Sequence, residues 1–202
     1  MRLSLLIIVG VFIIIGIIVC MRSSEGFGSA PAVCPKAQKT SRNLWYYHVA
    51  YTRDYLVKYL DNLAGADDAL AVLMKNQEDL GAFIDTMAPG TQTLATNLLK
   101  EHIAGAGAIL ADAKASRDMT NNIDAWYRNA DNISRTLAPA LRLSEPMLRE
   151  MMHTHLQTTL DEATKHLQGD RCGEQEAYRK VVEHILKMAD YLVSTKVCKC
   201  PQ

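Results

Sequence analysis

The segment Leu-Leu-Lys-Glu-His-Ile at 98–103 is the most informative about the architecture, because its pattern occurs twice more in the chain. The other copies are LWYYHV at 44–49 and MMHTHL at 151–156, and each places an apolar residue four positions before a histidine. Such recurrence at a nearly constant period is typical of a repeated supersecondary unit. The histidines of the three copies, 54 and then 53 residues apart, are His48, His102 and His155.

A second motif follows the first in step: KNQEDLG at 75–81, RNADNIS at 128–134 and KVVEHIL at 180–186. It carries an acid followed by a polar residue, and we interpret the two motifs together as three helical hairpins of about 53 residues. Because the two helices of a hairpin are antiparallel, a residue near the start of the first helix lies beside a residue near the end of the second. The pattern predicts one polar layer of histidines and their partners, which are Glu78, Asp79, Asp131, Asn132, Glu183 and His184.

Apolar residues at helical spacing, interrupted by turn residues, predict helices throughout the body, and no segment alternates like a strand. The fold class is therefore all-α: a bundle of about six helices in three repeated hairpins, preceded by one transmembrane helix. The fourth helix should stop before Pro139, and Ser144-Glu145-Pro146 should start the fifth. The predicted helices are about 44–63, 67–84, 91–116, 119–137, 145–167 and 174–196.

Residues 3–21 form an uncharged apolar stretch that as a helix spans roughly 28 Å, close to the thickness of a bilayer core. The alternative is a cleaved signal peptide, but the apolar core of a signal peptide is usually shorter than this stretch. We therefore expect a single-pass protein that contacts the lipid bilayer through residues 3–21. The predicted divisions are an anchor (1–22), a linker (23–40), a helical bundle (41–197) and a cysteine-containing tail (198–202).

Two signals disagree about which side of the membrane carries the body. The basic residues that follow the apolar stretch favour the cytoplasm by the positive-inside rule. The even number of cysteines outside the stretch instead favours two disulfides and an oxidising, lumenal or exterior compartment, which is our expectation. The disulfide candidates, for which three pairings are open, are Cys34, Cys172, Cys198 and Cys200.

The charge balance excludes one class of partner. Lys and Arg number 22, Asp and Glu also number 22, and the formal net charge is zero. Proteins that bind nucleic acid usually carry a strongly basic face, so we expect no nucleic-acid partner. The chain also contains no nucleophile elbow and no phosphate-binding glycine loop, so it gives no indication of an enzyme.

The polar layer has two interpretations. It could hold a transition metal such as zinc, iron or copper, because imidazole and carboxylate groups ligate these ions. It could instead contain only hydrogen bonds that fix the register of the helices. The candidate metal ligands are His48, His102, His155, His184, Asp79 and Glu183.

Two further surface features follow from the spacing. Tyr51, Tyr55 and Tyr59 recur every four residues and form one helical stripe, the tyrosine stripe, which could pack inward or bind a protein partner. Asn132-Ile133-Ser134 is a glycosylation sequon, but the repeat places Asn132 in the inward layer, so we expect it to be unmodified.

Several motifs resemble a family of small bacterial helical proteins of uncharacterised function. They are HVxxTR at 48–53, KNQxDLG at 75–81, LLKEHI at 98–103, WYxNADxI at 126–133 and HILxMAD at 184–190. The resemblance covers about residues 44–193 and implies a compact helical bundle without a catalytic role. The anchor, linker and cysteines depart from the family, and the Ile-rich anchor resembles those of membrane proteins from large DNA viruses, which suggests a virion membrane.

These observations leave two functional hypotheses. The first is a membrane-anchored bundle with a structural or interaction role, recognisable by an exposed apolar surface. The second is a metal- or small-ligand-binding bundle, with a possible redox activity, whose histidines converge at the centre.

Overall fold

The computed structural model describes residues 33–196, and the regular elements in this part of the chain are six α-helices. The all-α prediction is therefore confirmed for these residues. The predicted transmembrane helix and the tail of residues 198–202 lie outside them, and no described helix is long and apolar enough to cross a bilayer. The helices are α1 (Pro35–Leu60), α2 (Ala66–Met87), α3 (Gln92–Lys114), α4 (Thr120–Leu141), α5 (Glu145–Leu167) and α6 (Arg171–Leu192).

The six helices form a closed ring. Each packs against the helix before it and the helix after it, and α1 packs against α6. Because the connecting loops are short, consecutive helices run in opposite directions, so α1, α3 and α5 share one direction. These three helices therefore carry their histidines at similar heights.

The two ends of the ring are distinct. The proximal end contains the loops 88–91 and 142–144 together with residues 33–34 and 193–196. There the backbone N–H of Cys34 donates to the carbonyl of Lys196 over 2.8 Å, so the described chain begins and ends at the same place. The distal end contains the loops 61–65, 115–119 and 168–170.

Helix α1 starts at Pro35, inside the predicted linker of residues 23–40, so that boundary was wrong. Proline suits the first position of a helix because its fixed φ is already helical and its missing N–H is not needed there. Contacts with α6 then hold the first turns in place. The Ser41 hydroxyl donates to the Ala189 carbonyl over 2.7 Å, and Arg42 pairs with Asp190.

Helix α4 continues through Pro139 to Leu141, although the sequence predicts that it stops earlier. Pro139 removes one backbone hydrogen bond, and the turn is closed by the N–H groups of Arg142 and Leu143, which donate to the carbonyls of Pro139 and Ala138. The start of α5 is as predicted, with the Ser144 side chain accepting a hydrogen bond from the backbone N–H of Met147. Helix α6 ends at Leu192 rather than near residue 196.

The core has two parts. The larger part includes residues from all six helices, among them the fully buried Leu80, Leu156 and Ile185. The smaller part lies toward the distal end and joins α1, α2, α3 and α5 around Leu56 and Leu73. Because every helix contributes to this shared core, the bundle has the internal packing of an independent domain.

Candidate functional site: the histidine layer and the central cavity

Three of the predicted site residues meet at the centre of the ring. His48 on α1, His102 on α3 and His155 on α5 are each at most 3% exposed. The ring centroids of His48 and His155 are 5.6 Å apart, and those of His102 and His155 are 6.0 Å apart. We call these three residues the histidine layer.

The hydrogen-bond partners of the layer are amides that the sequence reading missed. The Gln77 amide nitrogen lies 3.3 Å from Nδ1 of His48, and the Asn129 side-chain oxygen lies 3.0 Å from Nδ1 of His102. The predicted partners Asp79 and Asn132 lie two or three residues further along α2 and α4. Both are exposed on the outside of the bundle, so neither contacts the layer.

A second set of hydrogen bonds repeats three times around the ring. In each of three pairs of neighbouring helices, the backbone carbonyl four residues before the layer histidine accepts a hydrogen bond from a side chain of the following helix. Asn76 donates to Leu44 over 3.1 Å, Asn129 donates to Leu98 over 3.3 Å, and Nε2 of His184 donates to Met151 over 2.7 Å. The helix pairs α1–α2, α3–α4 and α5–α6 are therefore joined equivalently, as the sequence repeat implies.

The other candidate metal ligands do not join the layer. Asp79 is exposed and pairs with Lys75, and Glu183 is exposed and pairs with Arg179. His184 donates to the backbone of α5 instead. Within residues 33–196, no group of three or more His, Cys, Asp or Glu side chains is arranged to hold a metal ion.

The layer histidines are neutral at physiological pH. Burial lowers the pKa of His48 to about 3, with a further decrease from the neighbouring His102. Burial lowers the pKa of His102 to about 4, and burial together with the nearby histidines holds the pKa of His155 well below its usual value. Nε2 of His102 and Nδ1 of His155 are buried and have no hydrogen-bond partner among the described residues.

An apolar cavity of about 190 Å³ lies next to the layer, toward the distal end. Thr52 and Thr159 form part of its wall and donate to the carbonyls of His48 and His155, one helical turn away. Trp126 also lines the cavity, and its ring stacks on His102 with the centroids 5.0 Å apart. The remaining wall is mainly aliphatic and includes Leu56, Leu73, Ile103, Ile109, Leu110, Ile123 and Leu160. We call this space the central cavity.

A buried ionic cluster between α1, α5 and α6 was not expected from the sequence. Arg53 bridges Glu162 and Glu174 at 2.5 and 2.6 Å, and both carboxylates are 2% exposed. Burial raises the pKa of Glu162 to about 7, which the charge of Arg53 only partly offsets. Burial also acts to raise the pKa of Glu174, but hydrogen bonds from Arg171 and His166 outweigh it and the pKa falls. No local motif marks these residues, because they come from three separate helices.

Three other expectations need correction or remain open. Asn132 is exposed rather than inward, so the argument that burial protects the sequon was wrong. Tyr55 is only 8% exposed, and Tyr51 and Tyr59 pack against the same core, so the tyrosine stripe faces inward. A partner bound through it stays a prediction. Cys172 is exposed and free, so it forms neither of the two expected disulfides, and Cys198 and Cys200 lie outside the described residues.

Comparisons of the chain with protein-family models, with curated proteins and with solved structures found no match. The resemblance to small bacterial helical proteins therefore stays a prediction. The function has to be argued from the geometry of the layer and the cavity.

Proposed function

We propose that the bundle binds a small, mainly apolar molecule in the central cavity. The observation that carries this proposal is the cavity itself: about 190 Å³ of mainly apolar space lined by side chains of α1 to α5. An engineered apolar cavity of about 150 Å³ in another protein stays dry and binds benzene. The central cavity is of comparable size and chemistry.

The few polar groups in the wall suit a ligand with one polar atom. The hydroxyl protons of Thr52 and Thr159 already bond to backbone carbonyls, so their oxygens are left as acceptors. Tyr55 lines the same cavity, and burial raises the pKa of its phenol, which therefore stays protonated and can donate. A small ring or short chain carrying one hydroxyl or amine fits this set.

Benzene and indole are suitable first probes, because both match the size of the cavity. Each should raise the melting temperature of the protein and change the fluorescence of Trp126, since a ligand that binds the folded state stabilises it. The variant Ala106→Leu fills the cavity and should abolish both effects. Ala104→Leu, on an exposed position of the same helix, is the matched control and should leave them unchanged.

The alternative is a structural or interaction role in which the layer only fixes the register of the helices. The hydrogen bonds of His48 to Gln77 and of His102 to Asn129 favour this interpretation, because they already satisfy one nitrogen of each ring. It predicts that neither probe binds, and that Ala106→Leu changes stability alone. A transition metal at one equivalent in the purified protein, detected by elemental analysis, would instead favour the metal hypothesis.

We also propose that residues 3–21 hold the bundle at a membrane, with the body on the lumenal or exterior side. The uncharged apolar stretch supports the first part and the cysteine content supports the second. After expression in cells, the full chain should stay in the membrane pellet through alkaline carbonate extraction. The same chain without residues 1–32 should be released.

A further inference from the structure

The charges of the bundle are segregated along its axis, although the whole chain is neutral. Within about two helical turns of the proximal end (residues 35–42, 80–99, 134–152 and 185–196), there are eight Lys and Arg but four Asp and Glu. The distal end (residues 53–73, 107–127 and 160–178) has six Lys and Arg but twelve Asp and Glu. The proximal cations are Lys36, Lys39, Arg42, Arg135, Arg142, Arg149, Lys187 and Lys196.

The cations at the proximal end are available to an outside partner. All eight are exposed, and six of them make no ion pair with another described residue. Of the four acids there, Asp190 is already paired with Arg42, and Asp85 accepts hydrogen bonds from the backbone N–H groups of residues 90–92. The six cations without an ion pair are Lys36, Lys39, Arg135, Arg142, Lys187 and Lys196, the last of which donates to the carbonyl of Thr86.

We propose that the proximal end docks on the bilayer surface that faces the body, in a membrane whose lumenal or exterior leaflet contains anionic lipid headgroups. Each Lys or Arg near such a surface contributes about 1 kcal/mol. The acidic distal end is repelled by the same surface, so the two ends favour one orientation. Nucleic acid is a poorer fit, because the opposite end of the same body is strongly acidic.

The path of the chain favours a membrane over other anionic partners. Residue 33 enters the bundle at the proximal end, and the apolar stretch ends at residue 21. Twelve residues span at most about 40 Å, so a bilayer crossed by residues 3–21 is within reach of the proximal end. This argument uses the proposed anchor, but the test below does not depend on it.

The test measures the flotation of the full chain, held in peptidiscs that cover its apolar stretch, with preformed lipid vesicles. We expect the chain to float with vesicles containing about 30% phosphatidylserine, and not with pure phosphatidylcholine. About 0.5 M salt should abolish the binding, because it screens charge beyond a few ångströms. Loss of three proximal lysines should weaken binding about 100-fold, at about 1 kcal/mol for each.

The variant that tests the surface is Lys36→Gln/Lys39→Gln/Lys187→Gln. Its matched control, Lys58→Gln/Lys114→Gln/Lys165→Gln, removes three distal lysines and changes the net charge equally. All six lysines are on helices, and a circular dichroism melt checks that both variants are folded. Equal binding to the two kinds of vesicle, or equal weakening in both variants, overturns the proposal. Failure of the carbonate extraction overturns the anchor alone.

Discussion

The imidazole rings of His102 and His155 lie 6.0 Å apart, centroid to centroid, and each keeps one buried nitrogen that has no hydrogen-bond partner within residues 33–196. A charged imidazolium in this position would be desolvated and would face a second ring that could also take up a proton. The layer is therefore stable only in its neutral form. The stability of the packing between α3 and α5 should therefore depend on the pH of the solution.

The bundle should lose stability from the layer as the pH falls. The pKa of His102 is about 4 in the folded protein and about 6.5 in the unfolded chain, so the unfolded state binds the proton first. Its contribution is complete above about pH 6.5 and decreases as the pH falls toward 4. Between about pH 7.5 and pH 5 we expect a loss of about 2 kcal/mol in the free energy of unfolding from this residue.

Urea denaturation of the wild type and of His102→Gln at both pH values measures this loss. Glu162 acts in the opposite direction, because its pKa is raised in the folded state and its contribution is lost as the pH rises through about 7. The informative quantity is therefore the difference between the two proteins, not the slope of either one. An identical pH dependence in both would contradict a neutral, buried His102.

Two glycines on α3 should respond oppositely to alanine. A Cβ at Gly105 would lie 2.9 Å from Cδ1 of Trp126, whereas one at Gly107 would lie 3.7 Å from the Tyr55 hydroxyl oxygen, an ordinary contact. We expect Gly105→Ala to cost about 1–3 kcal/mol of stability, because it pushes Trp126 away from His102. Gly107→Ala should stabilise by up to about 1 kcal/mol through helix propensity.

Thermal melts followed by the fluorescence of Trp126 distinguish the two effects. Gly105→Ala should shift the emission as well as the melting temperature, since Trp126 donates its indole N–H to the His102 carbonyl over 2.9 Å. If the two variants melt alike, α3 and α4 are not in the close contact that the structure describes.

The sequence repeat predicted the layer but not its partners, for a geometric reason. Periodicity along one helix places His48, His102 and His155 at equivalent positions, and the ring of helices brings equivalent positions together. Which residue of the neighbouring helix faces them depends on how the two helices cross. Asn129 and the predicted Asn132 are three residues apart and so lie near one another on α4, and spacing alone could not choose between them.

The helix boundaries and the ionic cluster could not be predicted from the spacing along one helix either. Pro35 starts α1 because Ser41 and Arg42 bond to α6, which is distant in sequence. The cluster of Arg53, Glu162 and Glu174 unites three helices in a way that no local pattern indicates. Features fixed by one helix were predictable, and those fixed by contacts between helices were not.

Arg53 should be among the most sensitive charged residues of the bundle. Arg53→Met leaves Glu162 and Glu174 buried without their shared partner, and we expect it to cost about 3–5 kcal/mol. The cost should decrease below about pH 7, because Glu162 can then take up a proton. Urea denaturation at about pH 8 and pH 6 checks both statements.

Arg179→Met is the control, since Arg179 pairs with Glu176 and Glu183 on the surface of α6. Exposed pairs are worth about 0–1 kcal/mol, so this variant should be nearly neutral at both pH values. An equally small effect of Arg53→Met would mean that solvent reaches Glu162 and Glu174.

The chain should contain one disulfide that closes the ring at its proximal end. The backbones of Cys34 and Lys196 are hydrogen-bonded at 2.8 Å, and Cys198 follows two residues later, a distance of at most about 7 Å. We therefore expect Cys34 to pair with Cys198, or with Cys200 as the alternative, whereas Cys172 is free and exposed. We expect peptide mapping without reduction to link Cys34 to the tail and to find Cys172 alkylated.

Reduction of this disulfide should lower the free energy of unfolding by about 2–4 kcal/mol. Cys172→Ser should leave that free energy unchanged, and a linkage through Cys172 would contradict the arrangement of the two ends of the ring.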